Sequence, residues 1–181
     1  MKLDLKEEID IPEGVEVKIG LGVLTAKGPK GEMTRILRGP RVSLEVKDKK
    51  IIISAQKATK REKRLIGTFK SHVTNILQGV TSGHVYKLKI CATHFPMSVS
   101  IKDGVFEVQN FLGEKVPRTR KIKPGVDVKI EDQEITVESV DKELAGQTAA
   151  AIETLCRITK RDRRIFQDGI YIIKKSEKIR E

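Results

Sequence analysis

The chain has 181 residues, of which 38% are hydrophobic and 34% are charged, and its 36 Lys and Arg against 25 Asp and Glu give a formal net charge of +11. This length suits one large domain or two small ones, and the hydrophobic content is enough for a core. So large a positive surplus favours an anionic partner, either nucleic acid or an anionic membrane. No apolar run approaches the roughly 20 residues that span a bilayer, which argues against the membrane.

The chain begins with an acidic segment, Met1 to Glu8, where a secretory signal would be basic and then apolar. We therefore expect an intracellular, cytoplasmic protein. The two cysteines, Cys91 and Cys156, are too few for a disulfide framework and fit reduced, half-buried thiols.

A glycine-rich loop, Gly28-Pro29-Lys30-Gly31, comes first among the recognisable motifs. Its spacing is not that of a P-loop, because no Gly-Lys-Ser/Thr follows. Two interpretations stay open: a plain hairpin turn, or a turn that also meets a phosphate through Lys30. Next, alternation from Val42 to Val46 predicts a half-buried strand, and a turn at 48–50 leads into a second strand at Ile51 to Ile53.

A helix is predicted after these strands. Thr59 and Glu62 have the spacing of a capping box, which marks a helix start. Apolar residues at positions 65, 66, 69, 73, 76 and 77 then fall on one helical face, so we expect Phe69 and Val73 in the core. The glycines at 79 and 83 predict the end of the helix and the link to the rest of the chain.

The second half of the chain repeats the first. Tyr86, Leu88 and Ile90 open it with strand-like alternation, strands are predicted at 126–130 and 135–137, and a helix is predicted from Asp141 to Ile158. Three blocks of residues match between the halves, at offsets of 82, 84 and 79. In the first block, Val17, Ile19, Val23, Leu24, Gly31 and Glu32 match Val99, Ile101, Val105, Phe106, Gly113 and Glu114.

The repeat predicts an α+β fold of two tandem copies of a small domain. Each copy is expected to be an antiparallel sheet with one helix packed on one face, because one helix cannot cover both faces and the strands alternate. We place the first copy at 1–81, the second at 82–173 and a basic C-terminal tail at 174–181.

The excess positive charge is concentrated in three stretches, 57–70, 115–123 and 157–180, which hold six, five and nine basic residues against one, none and three acids. Flexible cations in loops and at helix ends suit a phosphate backbone, although a solvated charged face with no partner is the alternative. The candidate RNA-binding residues are Lys160, Arg161, Arg163, Arg164, Lys174, Lys175, Lys30, Lys60, Arg61, Lys63, Arg64, Arg118 and Arg120. The cations just after the second helix could instead complement its C-terminal dipole.

Other functions find little support in the sequence. Aromatic residues make up only 4%, too few for a sheet face that stacks bases, so recognition is expected to rest on phosphates, 2′-hydroxyls and RNA shape. The histidines His72, His84 and His94 show no metal-binding spacing, and no nucleophile or dinucleotide motif is present. We therefore expect no enzyme activity, no cofactor and no small-molecule substrate.

The sequence resembles the universal large-subunit ribosomal protein number six family over nearly its whole length. The resemblance rests on the tandem repeat, the Gly28–Glu32 loop, His94-Phe95-Pro96, and above all the stretch from Arg164 to Tyr171, Arg-Ile-Phe-Gln-Asp-Gly-Ile-Tyr. It is closer to archaeal or eukaryotic members than to bacterial ones. The second copy has Asn110-Phe111-Leu112-Gly113 in place of the glycine-rich loop.

This resemblance implies binding to large-subunit ribosomal RNA near the sarcin–ricin loop and the elongation-factor site, mainly through the second domain and the tail. It also implies neighbouring ribosomal proteins, translation factors nearby, and no catalysis. The alternative from another class is a free-standing basic protein that chaperones RNA or docks on an acidic protein partner.

Overall fold

The computed structural model describes residues 3–162 and 164–176. These residues group into two compact units, the first ending at Gly83 and the second beginning at His84. The predicted α+β class with one helix in each of two tandem copies is confirmed. None of the helices in the described ranges is long and apolar enough to cross a membrane.

The first unit consists of two small antiparallel sheets and a helix that packs against strands of both. In chain order its described elements are β1 Leu3–Asp10, β2 Glu16–Gly20, β3 Val23–Gly28, β4 Gly31–Ile36, β5 Ser43–Lys47, β6 Lys50–Ala58 and α1 Lys60–Thr81. The sheets have the strand orders β1-β6-β5 and β2-β3-β4. The core beneath α1 includes Leu24, Ile51, Ile53, Phe69 and Val73.

The second unit repeats this plan and adds one strand. Its described elements are β7 His84–Cys91, β8 Ser98–Lys102, β9 Val105–Gln109, a short 3-10 helix Phe111–Gly113, β10 Arg118–Lys121, β11 Asp127–Glu131, β12 Glu134–Ser139, α2 Lys142–Leu155 and β13 Gly169–Lys174. The sheets have the orders β11-β12-β7-β13 and β8-β9-β10. Helix α2 packs against β7, β12, β13 and β10.

The structure adds a second sheet to each copy beyond the single sheet that the sequence predicted. The apolar positions that matched at the first offset, such as Val17 with Val99, lie on β2 and β8 of these extra sheets. The match of Gly31 and Glu32 to Gly113 and Glu114 is wrong. Val23 pairs with Ile36 in the first copy but Val105 pairs with Lys121 in the second, which places three extra residues in the β9–β10 connection.

The glycine-rich loop is a hairpin turn between β3 and β4, with Pro29 and Lys30 at its tip. The backbone N–H of Lys30 donates to the carbonyl of Val80, 3.0 Å away, so the turn packs on the last part of α1. A Cβ on Gly28 would lie 2.6 Å from the Val80 carbonyl oxygen, so only glycine fits this close approach. The fold itself therefore accounts for the loop's glycine at position 28.

Both helices begin at their predicted caps. Thr59 donates its backbone N–H to Glu62 Oε2 at 2.7 Å, which completes the capping box, and Asp141 accepts from the backbone N–H of Glu143 at 2.8 Å. α1 runs through the glycine at 79 and ends at Thr81, within the stretch 79–83 where its end was predicted, whereas α2 ends at Leu155, three residues before the predicted Ile158.

At one matched pair of core positions, the aromatic residue comes from the helix in the first copy and from a strand in the second. In the first copy Phe69 of α1 is buried, as predicted, and the position on β3 holds the smaller, also buried Leu24. In the second copy Thr148 replaces the helical Phe, and Phe106 replaces the strand Leu. Phe106 and Thr148 line the same cleft between α2 and β10, which agrees with the expectation that a bulkier neighbour compensates for the smaller residue.

Candidate nucleic-acid interface

The basic segment after α2, residues 157–168, exposes its described cations and is fixed near both ends. Ile158 is buried near its start and Asp168 is buried at its end, immediately before β13 begins. Between these anchors the described cations Lys160, Arg161 and Arg164 are exposed. The segment therefore presents positive charge from a defined frame, as an interface for a phosphate backbone requires. Arg163 lies outside the described residues.

Asp168 ties this segment to the loop after β7. Its Oδ1 accepts the backbone N–H groups of Thr93 and His94, the latter at 3.0 Å, and its Oδ2 lies 2.6 Å from Nδ1 of the His94 ring. Burial raises the pKa of the Asp168 carboxyl, but the hydrogen bonds from His94 and Thr93 outweigh burial and hold the pKa below its ordinary value. The carboxylate therefore stays ionised and keeps the two segments together.

Phe166 orients one of the candidate cations. The guanidinium carbon of Arg161 lies 4.8 Å from the centre of the Phe166 ring, and the His94 ring lies 5.0 Å from the same ring centre. Such cation–π contacts contribute about 0.5–1 kcal/mol at exposed sites, enough to favour one side-chain position. Arg161 is thus positioned by the Phe166 ring. That ring contacts His94, and Asp168 fixes His94.

Arg164 is partly neutralised by its own neighbour. Its guanidinium forms a fork with the carboxylate of Asp162, with Nη2 to Oδ2 at 2.8 Å and Nε to Oδ1 at 3.1 Å. The hydrogen bonds from Arg164 lower the pKa of Asp162, and the same pair raises the pKa of Arg164. Since the Arg164 side chain is 91% exposed, a phosphate can compete with Asp162 for it.

Arg118, another candidate, is occupied by the fold. Its guanidinium pairs with both carboxylate oxygens of Glu114 at 2.8 and 2.6 Å, donates to the Leu155 carbonyl at 2.7 Å, and lies 4.2 Å from the centre of the Phe111 ring. It therefore satisfies a carbonyl at the C-terminal end of α2. That carbonyl therefore does not need the cations at 160–164.

Arg120 lies beyond Arg118 on β10 and is exposed. With Lys121 and Lys123 it lines the strand side of the cleft between β10 and α2, whose helix side carries Ala150 and Ala151. The side chain of Lys123 bonds to Gln147 across this cleft. Arg120 therefore adds to the positive surface of the second unit on the side of β10.

Lys174 and Lys175 lie at the opposite end of β13 from the basic segment. The strand begins at Gly169 and ends at Lys174, so it extends over about 17 Å at roughly 3.3 Å per residue. That turn and strand hold the two groups of cations close together stays a prediction. The remaining tail cations Lys178 and Arg180 fall outside the described residues.

In the first unit, the candidate cations occupy two separate places. Lys60, Arg61, Lys63 and Arg64 are exposed on the first turns of α1. Lys30 lies beside Val80, which is about 30 Å away along a helix that rises 1.5 Å per residue. The four helical cations are also placed unfavourably for the helix dipole, so local helix stability does not explain them.

Sequence reasoning missed the residues that organise the basic segment. Asp168, His94 and Phe166 belong to the motifs that carry the family resemblance, but the sequence assigned them no role. The only sequence signal was an Asp immediately before the glycine that starts a strand. A partner 74 residues away cannot be inferred from that signal alone.

Comparison with known proteins agrees with the tandem organisation. The sequence profile of the family described as Ribosomal protein L6 matches residues 11–83 and 95–169, one stretch in each unit. The chain is 43% identical over 176 residues to a protein of Methanosarcina mazei named Large ribosomal subunit protein uL6, covering 97% of this chain and all of that protein. It is 42% identical over 171 residues to the protein of the same name from Methanobrevibacter smithii, covering 94% and 96% of the two chains.

Proposed function

This chain belongs to the ribosomal protein L6 family, and from this premise we propose that it is a structural protein of the cytoplasmic large ribosomal subunit that binds large-subunit ribosomal RNA. The observation that carries the proposal is the basic segment 157–168, which exposes Lys160, Arg161 and Arg164 between two buried anchors. The Leu155 carbonyl at the helix end beside it is already bonded by Arg118, so that carbonyl does not need these cations.

The chemistry of the segment suits phosphate. Arginine has a planar fork that can bind two phosphate oxygens at once, whereas lysine makes a point contact. Arg161 is preorganised over Phe166, so less side-chain freedom is lost on binding. Lys30, Lys60, Arg61, Lys63 and Arg64 of the first unit and Arg120, Lys174 and Lys175 of the second contribute secondary contacts, while Arg118 serves the fold.

A matched pair of variants tests this assignment. The triple variant Lys160→Ala, Arg161→Ala, Arg164→Ala should bind ribosomal RNA more weakly, whereas Lys60→Ala, Arg61→Ala, Arg64→Ala removes the same residue types from α1 and should do less. Filter binding over a salt series measures both affinities. The log–log salt slope should fall by about 0.7 to 0.9 for each phosphate that the variant no longer neutralises. Circular dichroism checks that both variants stay folded.

Wild-type binding by the first triple variant, with weakened binding by the second, would place the main contact in the first unit and overturn the assignment. A salt slope near zero for the wild-type chain would mean that the basic residues are not the binding surface.

We further propose that the RNA contacted lies near the sarcin–ricin loop and the elongation-factor site, with neighbouring ribosomal proteins and translation factors close by. This location rests on the family resemblance. Cross-linking from Lys160 in purified large subunits, followed by mapping of the linked nucleotides, tests it directly. Cross-links confined to RNA remote from that loop would contradict it.

We assign the chain no catalytic role and no cofactor. A free-standing basic protein that chaperones RNA or docks on an acidic partner is the competing hypothesis. Sedimentation through a high-salt wash separates the two, because a subunit constituent stays with large subunits while a transient binder is released.

A further inference from the structure

The first hairpin turn of each copy has the same backbone but a different first residue. Gly20 pairs with Val23 around a two-residue turn at Leu21-Gly22, and Lys102 pairs with Val105 around Asp103-Gly104. Both turn residues have positive φ in each copy, +51° and +76° in the first, +50° and +71° in the second. These are tight hairpin turns of the type that strongly prefers Asn-Gly or Asp-Gly.

Leucine is a poor residue for this position. Its Cβ crowds the backbone in the left-handed region, which Asp and Asn tolerate because their short side chains bond locally. Asp103 is the expected choice, and Leu21 is the exception. The Leu21 side chain is also 89% exposed, so burial within the described protein does not offset the strain. Neither backbone nor core explains why a leucine stands there.

The surroundings of Leu21 extend the apolar surface. Ile36, which pairs with Val23 beside the turn, is 69% exposed. A cleft next to the turn is lined by Leu21, Leu37, Pro40, Val42 and Leu44 together with smaller and polar residues. The hairpin turn and the end of β4 therefore each expose a large apolar side chain, and the turn borders an apolar cleft.

One cation is fixed at the edge of this surface. Arg38 lies across Gly22, where an added Cβ would come within 2.6 Å of its Cγ, and its Nε donates to the Leu21 carbonyl at 2.8 Å. Within the described residues no acidic side chain pairs with its guanidinium. Its outer nitrogens are thus available to a carboxylate that approaches the hairpin tip.

We propose that the Leu21 turn is a docking surface for a protein partner. An apolar pocket of that partner receives Leu21 and Ile36, and a carboxylate beside the pocket pairs with Arg38. Protein fits this surface better than RNA does, because RNA contacts rest on exposed cations that meet phosphates, whereas the tip is mainly apolar. Leu21 and Ile36 match the buried apolar anchors of a protein interface, and the Arg38 guanidinium matches its polar rim. This surface belongs to the first unit, and none of its residues is part of the basic segment.

The first test asks whether Leu21 serves the fold. In the purified full-length chain, Leu21→Asp should leave the thermal midpoint unchanged or raise it, because Asp is the better turn residue. The reverse change at the matched position, Asp103→Leu, should lower the midpoint. A lower midpoint for Leu21→Asp would mean that the leucine stabilises the protein itself, and the proposal would fail.

The second test identifies the partner's chemistry. A photo-cross-linking phenylalanine analogue replaces Leu21, or Asp103 as the control, and living cells are irradiated. We expect a discrete protein adduct from position 21 only, with the linked peptide, sequenced by mass spectrometry, rich in apolar residues and containing Asp or Glu. An RNA adduct, or none, overturns the proposal. Because this readout does not involve Lys160, Arg161 or Arg164, it is independent of the ribosomal RNA assignment.

Discussion

The two copies of the repeat treat the same sheet edge differently. In the first copy, β1 is outermost in its sheet among the described strands, and charged side chains cover it, with ion pairs from Lys6 to Glu8 at 2.6 Å and from Lys50 to Asp10 at 3.3 Å. In the second copy, the equivalent strand β7 lies inside its sheet because β13 pairs with its other side. Charges on an exposed edge discourage pairing with another chain, and an added strand removes that edge altogether.

This difference shows where the candidate interface comes from. The basic segment lies in the stretch between α2 and β13, for which the first copy has no counterpart. Pairing of β13 with β7 fixes one end of that stretch, and the Asp168–His94 contact fixes it to the loop after β7. The duplicated core is shared, and the part proposed to bind RNA is an addition to one copy.

Removal of the buried aromatic residue should have the largest effect and tests whether the two cores are equivalent. Phe69→Ala and Phe106→Ala should each lower the free energy of unfolding by about 3 to 5 kcal/mol, because both rings are buried and each leaves a cavity. Denaturant unfolding with amide hydrogen exchange, read separately for each unit, measures both. A small effect of only one substitution would show that the exchanged aromatic does not compensate across the copies.

The matched residues Ile9 and Leu88 test the contrast between the two edges. Ile9 pairs with Ile51 and Leu88 with Ile135, so they hold the same place in the repeat. Leu88→Ala should cost about 2 to 5 kcal/mol because strands flank β7 on both sides, and Ile9→Ala should fall at the low end of that range. Hydrogen exchange measured separately for each unit gives both losses in the free energy of unfolding. Equal losses would mean that β13 adds little to the stability of the second core.

Acid should weaken the contact by which Asp168 holds the loop after β7 in the second copy. Asp168 has a folded pKa below its ordinary value of 3.8, so its contribution is present above about pH 4 and is lost as the pH falls through the folded pKa. Asp168→Asn should cost about 1.5 to 3 kcal/mol at neutral pH, the usual worth of hydrogen bonds to a charged group. NMR of the Thr93 and His94 amides follows both changes. Unshifted Thr93 and His94 amide resonances in the variant would contradict the proposed hold of Asp168 on this loop.

Thr148→Val should have the smallest effect and the opposite sign. The Thr148 hydroxyl is buried without a hydrogen-bond partner in the described structure, so an isosteric apolar side chain should leave stability unchanged or raise it by up to about 1 kcal/mol. Thr68→Val on α1 is the control, since that hydroxyl donates to the Arg64 carbonyl at 3.0 Å. A loss at position 148 would reveal a partner for the hydroxyl.

Local patterns predicted much of this fold because their causes are local. Capping chemistry located the start of α1 at Thr59, the repeated apolar face located the start of α2 at Asp141, and periodic apolar positions identified Phe69 and Val73 as core. The end of α2 was missed because Arg118, which satisfies the Leu155 carbonyl, lies 37 residues earlier in the chain. The three extra residues between β9 and β10 were missed because similar residue types on both sides allowed a false match.

The candidate site was predictable in composition but not in arrangement. The sequence located the cations, since charge is a property of each residue. It could not show that Arg118 is already paired with Glu114, or that Arg161 lies over Phe166, because these contacts depend on the folded conformation of the chain. Nor could it place Lys174 at the far end of an extended strand.

The position of β13 after α2, far along the chain from its partner β7, imposes an order on biosynthesis. All elements of the first unit have been made once Thr81 is added, so that unit can complete its fold early. Strand β7 is made next but must wait for residues 169–174, which are translated only after α2, before both its edges are paired. Until then the nascent second unit carries an open strand edge, and this interval is when it is most exposed to mispairing and most in need of chaperones.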